Sequence, residues 1–321
     1  MAQSADAGAQ CAEGVLLVRP AQFGYNTQTA ATNRFQQSVP RSLDSAIRAR
    51  TEFETLCQVI YGAGVGVCVV DDTSEPAKPD AVFPNNWLSF HRDGTVVLYP
   101  MQAPNRRAER RMEVLQAVET RLHFRRRRLL DLRAHEQEGR MLEGTGSLVL
   151  DHVQKIAYAC RSARTDESLV REWSALMNYE PLLFDARGAD GTPLYHTNVL
   201  LSIGSRWAVV CAEAIVVADR GRVLQRLRAG RREIIEISAA AMSAFAGNIL
   251  ELAGQDASGG VHSVLVLSEQ ARSALQHLDT QAWDRLSVCV DQVLAAAVPT
   301  IESVGGGSVR CMLTEVPDTR V

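Results

Sequence analysis

The sequence of 321 residues predicts an α/β fold, because short runs rich in β-forming residues alternate with longer stretches of helical periodicity. The strand-like runs often stand in adjacent pairs ahead of a helix. No GxGxxG or GxxxxGK(S/T) loop follows any of them, so neither a dinucleotide-binding nor a P-loop fold is indicated. The length allows either two domains or one large closed architecture.

The spacing of apolar residues assigns each run to a strand or a helix. The predicted strands are Val15 to Val18, Val65 to Asp71, Ala81 to Phe90, Thr95 to Pro100, Ser147 to Leu150, Lys155 to Cys160, Val199 to Ile203, Trp207 to Cys211 and Ser263 to Ser268. The predicted helices are Ser42 to Tyr61, Ala108 to Leu122, Asp166 to Met177, Val223 to Arg228, Ser238 to Ala246, Ser268 to Leu278 and Gln281 to Ala297. Several of these helices follow a polar residue suited to a cap.

Composition and charge narrow the class of partner. A hydrophobic content of 46% is typical of a chain with a large core, and a net charge of -3 gives no general attraction to nucleic acid or anionic lipid. The arginine run 125–128 adjoins a helix that carries Glu109, Glu113 and Glu119, which can pair with arginines one turn away, and this favours a solvated ion-paired face over a nucleic-acid site. No apolar run approaches the roughly 20 residues of a membrane helix. We therefore expect a small-molecule partner, no nucleic acid and no membrane.

The termini and the cysteines indicate the compartment. Residues 1–12 are small and polar, without the basic start and apolar stretch of a secretory signal, so a disordered tail is predicted there. The seven cysteines are an odd number without a CxxC pair, and Cys68, Cys211 and Cys289 lie within apolar runs. Reduced thiols and a cytoplasmic location follow as expectations.

Cys311 is the candidate nucleophile. It follows the triple glycine 305–307, whose backbone can approach a ligand closely beside a thiol. The alternative is a glycine loop that leads into an ordinary core cysteine. A reactive thiolate also needs a base and an orienting partner, because a free cysteine is only weakly ionised at neutral pH.

His196 and Glu143 are the candidates for those two roles. His196 stands at the entry to the apolar run 199–203, where a junction between loop and strand can project it into a cleft. Glu143 precedes glycines and a buried-looking strand, so its carboxylate is expected at the mouth of the sheet. Taken alone, each residue also has a purely structural explanation. His196 is then a histidine at the core or at a junction between loop and strand, with its hydrogen bonds satisfied by the protein, and Glu143 is a carboxylate that caps the N–H groups of a turn.

The segment from Asp80 to Trp87 places two amides, Asn85 and Asn86, in an otherwise apolar strand-like run. Buried amides need partners or a ligand, which suggests a binding role. A Pro-Asn-Asn bend at a sheet edge explains the same pattern equally well.

Taken in order from Val15 to Glu315, these segments resemble the guanidine-modifying (pentein) superfamily, which includes arginine deiminase, dimethylarginine dimethylaminohydrolase, amidinotransferases and N-succinylarginine dihydrolase. The branch described as citrulline-utilisation hydrolase is the most similar. Its hallmarks are matched by residues 19–26 (RPAQFGYN), 83–87 (FPNNW), 99–101 (YPM), 105–107 (NRR), 142–144 (LEG) and 305–312 (GGGSVRCM).

The resemblance implies the architecture. A pentein is a five-module ββαβ α/β-propeller with pseudo-fivefold symmetry, so a single catalytic domain is expected over residues 13–318 after the disordered tail 1–12. It implies a small-molecule amino-acid substrate and neither a metal nor an organic cofactor. A homo-oligomer is compatible with it.

The resemblance also assigns site residues. Cys311 matches the nucleophile, His196 the general acid and base, and Glu143 the carboxylate that orients the histidine. Residues expected to bind substrate are Asp80, Asn85, Asn86, Arg106, Arg164, Asn198, Phe23 and Asn26, with Arg106 and Arg164 resembling the arginines that clamp a substrate carboxylate.

Two departures from the deiminases bear on the substrate. Asn86 and Asn198 stand where deiminases commonly carry aspartates that grip a cationic guanidinium. An amide can donate and accept with a neutral urea, whereas a guanidinium would lose its ion pairs. We therefore expect hydrolysis of citrulline to ornithine, carbon dioxide and ammonia through an S-carbamoyl enzyme. The alternatives are a deiminase or dihydrolase acting on arginine or a modified arginine, an amidinotransferase, and a pentein that only binds.

Overall fold

The computed structural model describes residues 10–38 and 43–319. Within them, fifteen strands form five three-stranded sheets. The strands are β1 Gly14–Arg19, β2 Gly66–Asp71, β3 Leu88–Phe90, β4 Thr95–Leu98, β5 Arg128–Asp131, β6 Val149–Asp151, β7 Ile156–Cys160, β8 Glu180–Phe184, β9 Leu201–Ile203, β10 Trp207–Val210, β11 Glu233–Glu236, β12 Leu250–Gln255, β13 Val261–Ser268, β14 Gln292–Ala296 and β15 Thr314–Val316.

The five sheets share one connectivity. In the sheet β3-β4-β5, the central strand β4 pairs antiparallel with β3 and parallel with β5. The central strands β7, β10 and β13 pair in the same way with their neighbours. Strand β1 pairs antiparallel with β15 and parallel with β2, so the last strand of the chain completes the first sheet. Each parallel pair is joined through helix, as a parallel connection requires.

The α-helices are Thr27–Ala30, Leu43–Gly62, Met112–Arg121, Gly144–Ser147, Glu167–Met177, Val217–Ala229, Ala239–Ser243, Glu269–Leu278, Thr280–Ser287 and Val309–Met312. Shorter helical turns are Pro84–Asn86, Pro104–Glu109, Arg133–Glu138, Thr197–Val199, Ala212–Ala214 and Ile301–Gly305. Asp166, Ser238 and Ser268 cap their helices by accepting a backbone N–H three residues on. In the parts of the chain that the structure describes, every helix is too short or too polar to cross a membrane.

The α/β prediction is confirmed, with two local corrections. The helix predicted over Gln281 to Ala297 is wrong beyond Ser287, because residues 292–296 form β14 alongside β13. The strand predicted over Ala81 to Phe90 is limited to β3, since Pro84 begins a tight helical turn. Ser42, the predicted first residue of its helix, lies outside the described residues.

The predicted tail is also shorter than expected. Residues 1–9 lie outside the described residues, but Gln10, Cys11 and Ala12 are buried. The Gln10 amide donates to the carbonyl of Leu150 at 3.0 Å and to that of Ile203 at 3.3 Å, so it joins two of the sheets. The prediction of disorder at residues 10–12 failed because small polar residues near a terminus carry no pattern that reveals such anchoring.

A position that recurs before the first strand of each sheet determines where the functional site forms. Each strand entry carries a residue followed two positions later by a buried leucine. The five such residues are Asn86, Gly146, Asn198, Asn248 and Cys311, and the leucines are Leu88, Leu148, Leu200, Leu250 and Leu313. Each leucine packs in the core and so fixes the start of its strand. The residue two positions earlier can then contact other parts of the chain.

The anchoring role of Gln10 can be tested by Gln10→Ala. Loss of its buried hydrogen bonds should lower the free energy of unfolding by about 1–3 kcal/mol, since buried carbonyls lose their donor. Urea unfolding measures this change. Gln281→Ala removes an exposed glutamine and should stay within about 0.5 kcal/mol of the wild type. Equal stabilities of the two variants would contradict the anchoring.

Candidate active site

Cys311 and His196 line one small cavity, although they are 115 positions apart in the sequence. Cys311 lies in the short helix Val309–Met312 ahead of β15, and His196 precedes the turn Thr197–Val199 ahead of β9. The other residues that line the cavity are Thr29, Asn33, Asp80, Phe83, Asn86, Arg106, Arg164, Tyr195 and Gly305 to Gly307. The structure therefore brings the predicted nucleophile and base to one site.

Glu143 holds the imidazole of His196 through a hydrogen bond between Oε2 and Nε2 of 3.0 Å. Both side chains are buried. An ionised carboxylate can only accept, so Nε2 carries the proton and Nδ1 keeps its lone pair when the ring is neutral. A Cβ added at Gly146 would lie 2.6 Å from Nδ1, which places that nitrogen beside the glycine at this strand entry.

Glu143 has two further partners. Its Oε1 accepts the backbone N–H of Gln102 at 3.0 Å, and its Oε2 lies 3.4 Å from the Arg164 guanidinium. Burial opposes ionisation of this carboxyl, but Arg164 and His196 outweigh burial and lower the pKa of Glu143 to about 2. Glu143 is therefore an anion at neutral pH and suits the role of orienting carboxylate.

His196 is neutral at the same pH. Burial lowers the pKa of His196 to about 4, and the contact with Glu143 offsets only part of that effect. A neutral imidazole of fixed tautomer can accept a proton at Nδ1 and release it again, which is what general acid and base catalysis requires.

The thiol of Cys311 is held by two amides. The Nδ2 atom of Asn248 lies 3.3 Å from Sγ, and the Nδ2 atom of Asn198 lies 3.6 Å from it. Burial raises the pKa of the Cys311 thiol, and the two amides act against that rise. Asn198, a predicted site residue, therefore contacts the candidate nucleophile. Asn248 contacts it too but was not predicted.

Arg106 fixes the amide of Asn86. Its Nη1 donates to Asn86 Oδ1 at 2.8 Å, while its Nε and Nη2 donate to Glu109 and to the carbonyls of Asp80 and Phe83. The Nδ2 atom of Asn86 is buried without a hydrogen-bond partner. Arg106 thus orients Asn86 toward donation.

Asp80 and Arg164 complete the polar wall. Oδ2 of Asp80 accepts from Asn26 Nδ2 at 2.8 Å and from Thr29 Oγ1 at 3.1 Å, whereas Oδ1 is buried and unpaired. Burial raises the pKa of Asp80, and Arg106 opposes this. Arg164 lines the cavity and also donates to the Thr29 carbonyl at 2.9 Å.

Four predicted binding residues do not line the cavity: Phe23, Asn26, Asn85 and Asn198. Phe23 is part of the hydrophobic core, and Asn85 donates to Thr145 Oγ1 at 3.3 Å. Asn26 contacts the cavity residues Asp80 and Thr29. Glu109 was predicted to pair with an arginine one turn away but not as a site residue, and its contact with Arg106 at 2.8 Å places it beside the site. Asn248 carried one usable signal, an amide directly before an apolar strand, as in the segments of Asn86 and Asn198.

The cavity encloses only about 20 Å³, which is space for a water molecule rather than an amino acid. The segment 27–37 covers it: Asn33 Nδ2 donates to the carbonyl of Gly306 at 3.0 Å, and Gln36 Nε2 donates to that of Gly305 at 3.1 Å. Tyr195 also lines a wider pocket of about 430 Å³. A ligand of amino-acid size therefore requires these contacts to open.

Comparison with solved structures gives relatives of the same fold. The N-terminal domain of ArgZ, an arginine dihydrolase from the ornithine-ammonia cycle in cyanobacteria, matches with a TM-score of 0.70 and 16% identity, covering 95% of this chain and 97% of that one. A dimethylarginine dimethylaminohydrolase adduct matches with a TM-score of 0.62 and 13% identity, covering 94% and 98%. Unliganded AgrE matches with a TM-score of 0.70 and 17% identity, covering 96% of this chain and 40% of that one.

The ArgZ chain in its apo structure is likewise longer, and this chain spans 40% of it. At such identities the likeness shows the fold. Comparison with curated protein sequences gives no match.

The fold is therefore that of the ArgZ and dimethylarginine dimethylaminohydrolase structures. The family model described as N,N dimethylarginine dimethylhydrolase, eukaryotic, matches residues 19–317, which confirms the predicted resemblance to the guanidine-modifying superfamily. The chain belongs to that family, whose description is that of a hydrolase.

The neutral state of His196 makes a prediction about acid stability. Its pKa is lower in the folded chain than its ordinary value near 6.5, so the unfolded chain binds more protons as pH falls below 6.5, and stability falls with it. At pH 5 the loss should be about 2 kcal/mol. His196→Asn cannot titrate and should lose that much less than wild type between neutral pH and pH 5, measured by urea unfolding.

His277→Asn, which removes an exposed imidazole, is the control and should follow the wild type. An equal acid loss in wild type and His196→Asn would contradict the assignment of a neutral, buried imidazole. Glu143 contributes at lower pH, because the stability from its depressed pKa is lost only as pH falls through about 4.5 toward 2.

Proposed function

We propose that the chain is a cysteine hydrolase that cleaves a C–N bond of a ureido amino acid, with citrulline as substrate and ornithine, carbon dioxide and ammonia as products. This agrees with the citrulline-utilisation branch that the sequence resembles. The observation that carries the proposal is the Nδ2 atom of Asn86, a buried donor without a partner at the cavity.

A ureido oxygen is an acceptor and can satisfy that donor. A guanidinium has only N–H groups and would leave Asn86 Nδ2 unpaired. The amide cannot reverse at little cost, because Arg106 donates to its Oδ1 at 2.8 Å. The unpaired Oδ1 atom of Asp80, which lines the cavity, supplies an acceptor for the ureido N–H groups. The unpaired atoms of the site thus complement a head group with several donors and one acceptor.

The reaction then proceeds in two steps. Cys311 gives its proton to His196 Nδ1, and its sulfur attacks the ureido carbon; the oxyanion that forms accepts from Asn86 Nδ2. His196 returns the proton to the departing amine, so ornithine leaves and an S-carbamoyl enzyme remains. His196 next takes a proton from water, which attacks the carbamoyl carbon. Cleavage of the C–S bond releases carbamate, which decomposes to carbon dioxide and ammonia.

An arginine dihydrolase is the second candidate. Arg106, Arg164, Asp80, Glu109 and Glu143 are all buried, and when ionised they carry three negative charges against two positive ones. A guanidinium would neutralise the excess. ArgZ is described as an arginine dihydrolase, which points the same way. Amidino transfer to an amine and binding without turnover are the remaining alternatives. An assay that adds no acceptor amine distinguishes hydrolysis from both of them, because only hydrolysis then releases product.

We also propose that the five sheets form the five-module propeller of a pentein with pseudo-fivefold symmetry, in one catalytic domain. The shared connectivity of the sheets supports this. So do the contacts of Asn86 with the Gly146 position and of Asn198 and Asn248 with Cys311, which join two and three of the strand entries, and the cavity that Asn86 and Cys311 both line. One common rotation should then relate the five sheets when they are superposed.

The first functional test measures ornithine and ammonia released from citrulline and, separately, from arginine. Wild-type protein should turn over citrulline in the absence of any added amine, and Cys311→Ala should reduce the rate by at least about a thousandfold, since the nucleophile is lost. Cys289→Ala, which removes a cysteine outside the cavity, is the matched control. Retained turnover in Cys311→Ala would contradict the proposal.

The second test exchanges the amide that contacts the head group. Asn86→Asp replaces Nδ2, the donating atom of this side chain, with an oxygen that accepts. The ratio of kcat/KM for citrulline to kcat/KM for arginine should therefore fall by about tenfold or more. Asn85→Asp alters the neighbouring amide, which contacts Thr145 instead of the cavity, and should not shift the ratio. An unchanged ratio in Asn86→Asp would show that this amide does not select the substrate.

A further inference from the structure

The amide of Asn248 lies directly against the sulfur of Cys311. Its Nδ2 is 3.3 Å from Sγ and 3.0 Å from the backbone carbonyl of Asn198. Nδ2 has two hydrogens, so one can serve the carbonyl and the other the sulfur. Only 1% of the Asn248 surface is exposed, which excludes water as a competing partner.

The bond to the Asn198 carbonyl fixes the orientation of the amide. Oδ1 of Asn248 then lies 3.6 Å from Sγ, where it can accept from the thiol in its protonated state. Nδ2 can donate once the proton has left. One side chain is therefore placed to serve both protonation states of the sulfur.

The charged groups around the thiol are engaged with other partners. Arg310 is adjacent in sequence, but its guanidinium donates to the Leu313 carbonyl at 3.0 Å and to Glu315 at 2.8 Å. His196 lines the same cavity, where it is hydrogen-bonded to Glu143. The hydrogen bonds that reach Sγ from side chains within the described residues come from Asn198 and Asn248.

We infer that Asn248 is a catalytic residue that stabilises the Cys311 thiolate by direct donation from Nδ2, with Asn198 as the weaker second donor. A reactive thiolate is usually stabilised by a cation, and here the two neutral dipoles act beside the imidazolium that His196 becomes when it takes the thiol proton. The amides themselves add no positive charge beside the substrate. The inference rests on Cys311 as the nucleophile of the proposed function.

The test uses the full chain and the alkylation rate of Cys311 by iodoacetamide at fixed pH, which needs no substrate. Trypsin cleavage after Arg310 and Arg320 releases a peptide in which Cys311 is the single cysteine, so mass spectrometry reports on this thiol alone. Asn248→Asp keeps the size of the side chain but replaces the donor with an acceptor. It should slow alkylation about tenfold or more, because one pKa unit of lost thiolate stabilisation is a tenfold change.

Two matched variants separate this effect from packing. Asn85→Asp places the same change at another buried amide, which does not line the cavity. Ser202→Ala removes the hydroxyl that donates to the carbonyls of Gly247 and Ile249 on either side of Asn248. Both should alkylate within about twofold of wild type.

A wild-type alkylation rate in Asn248→Asp, or an equal slowing in Ser202→Ala, would overturn the inference. If Asn248→Asp does not fold, Asn248→Leu gives the decision, since it fills similar space without a donor or a charge. Slower alkylation of Asn248→Leu is expected, and a wild-type rate there would likewise overturn the inference. Because the assay contains no citrulline, its failure is distinguishable from a failure of the proposed substrate.

Discussion

The interaction on which the site depends most is the one between Arg106 and Asn86. Arg106 is buried, and burying a guanidinium costs several kcal/mol unless its donors are satisfied. Glu109 takes two of them, at 2.8 and 2.9 Å, and Asn86 Oδ1 takes a third. This pairing decides which atom of Asn86 remains without a partner, and so decides that the cavity presents a donor where a deiminase commonly has a carboxylate.

The same logic extends to the rest of the catalytic machinery. Glu143 remains ionised because Arg164 lies 3.4 Å away, and the ionised carboxylate sets the tautomer of His196. Loss of Arg164 would raise the pKa of Glu143 and so weaken the preference for the anion that fixes the tautomer of the histidine. The buried arginines thus act through other side chains: Arg106 orients an amide, and Arg164 maintains an anion. Both were expected to clamp a substrate carboxylate, a role that stays a prediction.

Some of this organisation could be predicted from the sequence and some could not. Cys311 follows three glycines, and His196 and Glu143 precede strand-like runs, so local chemistry singles them out. The combined resemblance to a family then suggested their roles. Phe23 and Asn85 were predicted from the matched segments 19–26 and 83–87. Phe23 packs in the core and Asn85 contacts Thr145, which the spacing of residues does not reveal.

Asn248 was missed because its role depends on a contact distant in sequence. It lies 63 positions before Cys311, and its immediate neighbours, Gly247 and Ile249, carry no reactive side chain to draw attention. Its likeness to Asn86 and Asn198 becomes visible once the five strand entries are aligned in space. Likewise β14 was predicted as helix, because a short apolar run is compatible with either structure until its partner β13 is known.

Whether the site is built for a neutral head group can be tested most directly by calorimetric titration of Cys311→Ala with citrulline and with arginine. This variant should bind without turnover. We predict that citrulline binds at least about tenfold more tightly, since arginine leaves one buried donor unpaired. Tighter binding of arginine would contradict a neutral-selective site and would favour an arginine dihydrolase.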